Sequence, residues 1–198
     1  MKKISSLLLN ELLKRNIIPH EKSEIYYTGI ILLISDLINI TLVIIAGIFT
    51  HSFLWSIIYL IMLWTVRRFS GGFHAKTYTV CRIVTLGTYI IIMFLSKTTD
   101  KNYAIISSLC NCFAFITMVL FAPVKHPNKS LTEKEAKANK TFSLIATLSC
   151  VIFSILLTAY ERKEGLVISL TLLAIALLMY VGLLTNRKGG VQLEKHYR

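Results

Sequence analysis

Two residues of this chain have the types and spacing for nucleophilic chemistry at a carbonyl. Cys81 follows His74 by seven positions, and the run leading to them, Arg67-Arg68-Phe69-Ser70-Gly71-Gly72-Phe73-His74, is basic and glycine-containing. A thiol attacks as thiolate, and the guanidinium groups of Arg67, Arg68 and Arg82 favour that form. Cys81 also opens an apolar run expected to be a helix, whose N-terminus adds unpaired N–H groups and partial positive charge. An imidazole within reach would take the thiol proton, which is the minimal apparatus for covalent acyl transfer. On one unbroken helix the two side chains would share a face but stand about 10.5 Å apart along the axis. A productive pair needs roughly 2.6–3.2 Å between heavy atoms. The segment is therefore expected to bend, and Gly71-Gly72 with Thr77 and Thr79 allow a non-helical path. The same two glycines would let backbone N–H groups approach a reacting carbonyl oxygen. The competing reading leaves His74 and Cys81 as bystanders in a basic loop.

The elements that must position them are membrane spans. Of 198 residues, 55% are hydrophobic and only 16% are charged, against about 25% charged in ordinary soluble domains. A disordered chain, a disulfide-stapled secreted domain and an ordinary cytosolic enzyme are excluded on that ground. The 22 Lys and Arg against 10 Asp and Glu give a net charge of +12, yet nucleic-acid binding fits poorly, because the positive charge lies between long apolar runs. Six runs approach the length of about 20 residues that crosses a hydrocarbon core as a helix: 28–50, 52–66, 81–96, 103–122, 142–160 and 166–184. The expected fold is all-α, a single polytopic membrane domain over 1–198, with 67–80 as the catalytic segment.

Orientation follows from the basic residues in alternate loops. Five lie in the N-tail, four in the Arg67–Arg82 region, five between Lys125 and Lys140 and four in the C-tail, eighteen in all. The opposite side has four: Lys97, Lys101, Arg162 and Lys163. Both termini are thus expected in the cytoplasm of a multi-pass cell-membrane protein, which requires an even number of crossings. Residues 1–24 precede the first span. Ile4, Leu7, Leu8, Leu12 and Ile17 recur there at helical spacing with charges on other faces, as in an amphipathic helix lying on the inner leaflet. No small-residue cleavage site marks a leader in this stretch. The runs 52–66 and 81–96 are short, the first reaching only about 22 Å. Either the bilayer thins beside them or the segment between them continues the spans.

Other candidates are fewer. Asp36 lies inside the first span with Asn39 nearly on its face. A mid-membrane carboxylate costs about 2.5–3.5 kcal/mol to insert. It would orient His74, pair with an arginine or stay protonated in a helix interface, and the sequence leaves these open. Cys110 and Cys112 would point about 200° apart on a helix, and with Cys150 they read as packing residues. No CxxC pair or zinc spacing is present, so neither a metal nor another cofactor is expected.

The run Arg67-Arg68-Phe69-Ser70-Gly71-Gly72-Phe73-His74-Ala75 followed by Cys81 resembles the core motif of the accessory gene regulator B family, membrane cysteine peptidases of Gram-positive quorum sensing. Glu24-Ile25-Tyr26-Tyr27-Thr28-Gly29 and Ala122-Pro123-Val124-Lys125-His126-Pro127-Asn128-Lys129 match as well. The resemblance implies an endopeptidase that removes the C-terminal part of a small propeptide and cyclises the remainder to a thiolactone or lactone autoinducing peptide. It implies Cys81 as nucleophile, His74 as its base, and Arg67 and Gly72 as residues needed for activity. It also implies a propeptide with an amphipathic N-terminal helix and an acidic C-terminal region, and a homodimer in the lipid bilayer. The main alternative is a non-enzymatic exporter of a small peptide or solute, for which Asp36 in a span would be suited.

Overall fold

In hydrocarbon a backbone N–H or C=O has no water to bond, so apolar segments of this length satisfy their backbones as helices. A computed structural model describes residues 2–15, 17–71, 77–124 and 132–196. The described residues form seven helices: α1 (Lys2–Lys14), α2 (Ser23–Phe49), α3 (Phe53–Ser70), α4 (Tyr78–Thr98), α5 (Tyr103–Phe121), α6 (Glu133–Ala159) and α7 (Glu164–His196). A single 3₁₀ turn, His20–Lys22, leads into α2. Six helices, α2 to α7, are long and apolar enough to cross a membrane. Pro19 and Pro123 fall at element boundaries, outside the spans, where a missing N–H breaks no helix. Among the described residues there is no strand, only an isolated parallel bridge between Gly71 and Val124.

The two short runs are longer as helices than hydropathy alone suggested. The first extends to Ser70 and the second begins at Tyr78, so charged and hydroxyl residues continue both helices past the end of the apolar run. Within α3 the segment Leu63–Arg67 is a π turn. Its wider winding changes the angular register of every residue after it.

α7 is the pole of the bundle. Of its most apolar window, 61% is buried, against 11% for α2. It packs on α3, α4, α5 and α6, while α2 packs on α1, α3 and α4. Met62 and Val66 of α3, Ala114 and Met118 of α5, and Leu172 and Met179 of α7 form one core cluster. Val43, Tyr59, Tyr89 and Leu166 form part of the other. Most other large apolar side chains of α2, α4 and α6 stay exposed, as lipid-facing surface requires. In α1, Ile4, Leu7 and Leu8 are exposed and Ser5 is buried, which leaves an apolar face available to a membrane surface.

Lipid tails are as apolar as leucine, so helices in a bilayer associate through close packing of small residues and interhelical hydrogen bonds. One such knot joins α5, α6 and α7. Ser154 and Ser169 both donate to the Gly165 carbonyl, at 2.9 and 2.7 Å, Asn111 Nδ2 donates to Ser154 at 3.0 Å, and Ser107 bonds Ser169. Gly165 is obligatory in this knot: a Cβ there would stand 2.7 Å from the Ser154 carbonyl oxygen and 2.8 Å from the Thr158 nitrogen.

Three short turns join α2 to α3, α4 to α5 and α6 to α7, each using one left-handed residue: His51, Asn102 and Glu161. These turns hold one end of the bundle level. Opposite charges are paired there, Lys163 with Asp100 at 2.6 Å and Arg162 with Glu164 at 3.2 Å. Measured from that level end, α3 and α5 reach about 27 and 28 Å, whereas α2 and α6 reach about 40 Å. At the other end, which carries Arg67, Arg68, Arg82, Lys134, Lys137 and Lys140, α2 and α6 are thus the longer helices and α3 and α5 the shorter.

Gly165→Ala is expected to destabilise the protein by about 1–3 kcal/mol through overpacking against fixed backbone. Unfolding in mixed detergent micelles measures this, and an unchanged transition would contradict the close approach.

Candidate active site

The site lies where α3 ends and α4 begins. Cys81 stands in the first turn of α4, half-buried. Thr77 precedes that turn in extended conformation, and its hydroxyl accepts the Val80 N–H at 3.4 Å. The Cys81 N–H donates to the Thr77 carbonyl at 3.2 Å. Upstream, α3 stops at Ser70, and Gly71 takes φ 70°, ψ −159°. No unbroken helix joins Arg67 to Cys81, which removes the geometry that would hold a residue at position 74 a full two turns from the thiol. His74 and Gly72 lie outside the described residues.

Gly71 sits in a region of backbone space that only glycine occupies readily. Its N–H donates to the Arg67 carbonyl at 3.2 Å, and the Val124 N–H donates to the Ser70 carbonyl at 2.9 Å. A Cβ at Gly71 would lie 2.6 Å from the Val124 carbonyl oxygen. Its N–H is thus already committed, which corrects the expectation that Gly71 offers an N–H to a carbonyl oxygen. Its place in the fold is a joint between the ends of α3 and α5. That joint also brings together two of the stretches marked in the sequence, Ser70-Gly71 and Ala122-Pro123-Val124; residues 125–131 lie outside the described residues.

Arg67 closes the π turn and is half-buried. It is close enough to act electrostatically on Asp36 of α2 and on the hydroxyl of Tyr59. The Cys81 thiol acts on Tyr59 too. Asp36, Tyr59, Arg67 and Cys81 therefore form one neighbourhood spanning α2, α3 and α4. Arg68 faces elsewhere, its guanidinium 5.8 Å from the centre of the Trp64 ring.

Beneath Cys81 lies a polar contact that sequence reading did not find. Tyr59 of α3 donates to the Thr85 carbonyl at 2.8 Å and bonds the Thr88 hydroxyl at 2.6 Å. In return Tyr89 of α4 bonds Ser56 of α3 at 2.6 Å, and the two tyrosine rings meet at 5.3 Å. The signal was present as hydroxyl residues four, seven and eight positions after Cys81, inside a run otherwise read for its hydropathy. Elsewhere Cys110 is buried, Cys112 exposed and Cys150 half-buried, and all four cysteines are free. Among the described residues no group of His, Cys, Asp or Glu is arranged to hold a metal.

Fold and site together define a multi-pass helical membrane protein with a half-buried cysteine in the first turn of a span, at the more basic end of the bundle. The family model for accessory gene regulator B matches residues 2–183. The chain belongs to that family. It is 34% identical over 132 residues to an AgrB-like protein of Clostridium perfringens strain SM101, covering 63% of this chain and 62% of that relative. A second AgrB-like protein, from Clostridium perfringens strain 13, is 31% identical over 71% of this chain and 69% of its own length. The accessory gene regulator protein B of Staphylococcus aureus strain N315 is 24% identical over 82% of this chain and 88% of its own. The matched part of this chain thus spans somewhat less than two thirds of the first relative's length. No solved structure matches.

Gly71→Ala is expected to cost about 1–3 kcal/mol from backbone strain and to speed hydrogen exchange at the Val124 amide. Gly71→Asn should be equally impaired, since this ψ lies outside the left-handed helical region that asparagine tolerates. Recovery with Asn would contradict the joint described for Gly71.

Proposed function

We propose that this chain is a membrane-embedded cysteine endopeptidase that cleaves a small quorum-sensing propeptide and cyclises the part it keeps. The observation that carries the reading is Cys81, half-buried in the capped first turn of α4 at the more basic end of the bundle. A helix N-terminus supports negative charge developing near it. The resemblance of Arg67–Ala75 to the family motif assigns the base to His74, and the helix break between Ser70 and Tyr78 is what such a pair requires.

His74 takes the Cys81 proton, and the sulfur attacks the scissile carbonyl of the propeptide. The C–N bond breaks, the amine of the C-terminal fragment leaves with the proton from the imidazolium, and a thioester to Cys81 remains. A Cys or Ser of the same peptide then attacks that thioester. Its own proton passes to His74, Cys81 is released and the ring closes as thiolactone or lactone. Overhanging α2 and α6 would limit water at the thioester and hold the second nucleophile close. Arg67 would hold an acidic part of the substrate, and the basic rim would steer the acidic C-terminal region of the propeptide by long-range attraction. The excess of basic residues at the Cys81 end supports a cytoplasmic location for that end and for both termini. A homodimer in the cell membrane completes this reading.

Cys81→Ser and His74→Ala should each lower propeptide cleavage by about 10³-fold or more, as loss of a nucleophile or its base does, with the folded protein retained in the membrane. Arg67→Lys keeps the charge but loses the planar fork and should raise KM. Cleavage left intact in Cys81→Ser would favour the exporter reading instead.

A further inference from the structure

Hydrophobicity does not decide which face of α4 turns inward. Ile83, Ile90, Ile91 and Phe94 are exposed on its outer side, while Thr85, Tyr89, Ile92 and Ser96 are buried. Both faces are equally acceptable to lipid, so rotation of the helix about its axis has to be set by directed bonds. Cys81, Thr85, Thr88, Ile92 and Ser96 follow at spacings of four, three, four and four, which places them on one stripe. Whatever fixes the azimuth of Thr85 and Thr88 fixes that of Cys81.

We infer that Tyr59 is a positioning residue for Cys81, its hydroxyl holding α4 at the rotation that turns the thiol toward α3. Tyr59 is 1% exposed, so its hydroxyl has no water to bond instead, and both partners it does have belong to α4. The Thr85 contact lies about 6 Å along the axis from Cys81, and Tyr89 about 12 Å. The reciprocal Tyr89–Ser56 bond is therefore farther from the reacting atom. It is seated over Gly47 of α2, where any Cβ would collide with the Ser56 side chain. Tyr59 has a second link to the site, since it lies within electrostatic reach of both Arg67 and Cys81. For catalysis the inference rests on the peptidase reading above; for geometry it stands alone.

The test uses the full chain in phospholipid nanodiscs, comparing wild type with Tyr59→Phe, which keeps the ring contact and deletes the hydroxyl. Alkylation of Cys81 by iodoacetamide, followed by mass spectrometry of its peptide, reads placement without any substrate. We expect its rate to change by at least about threefold, and kcat for propeptide cleavage to fall about 10–100-fold with KM held within about twofold, the pattern of a misplaced nucleophile. Thr88→Val removes one partner of the same hydroxyl and should shift alkylation in the same direction, which decides the matter if Tyr59→Phe does not fold. Ser56→Ala loosens the more distant bond. If it alters Cys81 alkylation as much as Tyr59→Phe does, the effect is general loosening and the inference is overturned. It is overturned equally if Tyr59→Phe and Thr88→Val both alkylate at the wild-type rate. Should wild type cleave no peptide while Tyr59→Phe still shifts alkylation, the peptidase reading fails and the positioning role stands.

Discussion

A backbone N–H or C=O at membrane depth must find its partner within the protein, and this constraint shapes the molecule around Cys81. Six helices meet it internally. The segment after Ser70 and the one after Phe121 meet it with each other, the Val124 N–H donating to the Ser70 carbonyl at 2.9 Å. At that joint α3 and α5 stop, each about 12 Å shorter than α2 and α6. Gly71 is at the joint because a left-handed φ and a backbone approach of this closeness leave no room for a side chain. Gly71 and Val124 thus leave their helices at the end of the bundle where Cys81 stands.

Two polar knots hold the bundle, and they differ in consequence. The knot around Gly165 locks α5, α6 and α7 near the level end, beside paired charges that largely cancel. The knot of Tyr59, Tyr89, Thr85 and Thr88 locks α3 to α4 on the Cys81 side. The first joins helices far from the cations. The second joins α3 to the helix that carries Cys81 in its first turn. Charge is distributed accordingly: the excess of basic residues collects at the Cys81 end, and the opposite end is near neutrality.

Much of this was legible in the residues. Long apolar runs, alternation of basic loops and prolines confined to boundaries specify six helices, because hydrocarbon tolerates little else. The ends of α3 and α4 were less legible. Hydropathy stops at Val66 and starts again at Cys81, whereas the helices run to Ser70 and from Tyr78, since a helix needs only bonded backbone and tolerates Arg67, Arg68 and Thr79 at its end. The π turn at Leu63–Arg67 leaves no trace in composition, yet it sets the direction of Arg67. Gly71 was read for its N–H and matters for its missing Cβ. Tyr59 was hidden because a tyrosine within an apolar run counts as one more large side chain until its hydroxyl partners are seen. That Asp36 lies within electrostatic reach of Arg67 depends on the antiparallel pairing of α2 and α3, which spacing along the chain does not reveal.

The central claim is that the Cys81 sulfur becomes covalently bound to the peptide it cuts. Its most direct test is to quench the reaction of protein and propeptide with acid and determine the mass of the Cys81-containing peptide. The account predicts an added mass equal to the N-terminal part of the propeptide, on Cys81 alone and removed by hydroxylamine, as a thioester is. Cleavage that proceeds with Cys81 never modified, or with the adduct on another residue, would contradict it.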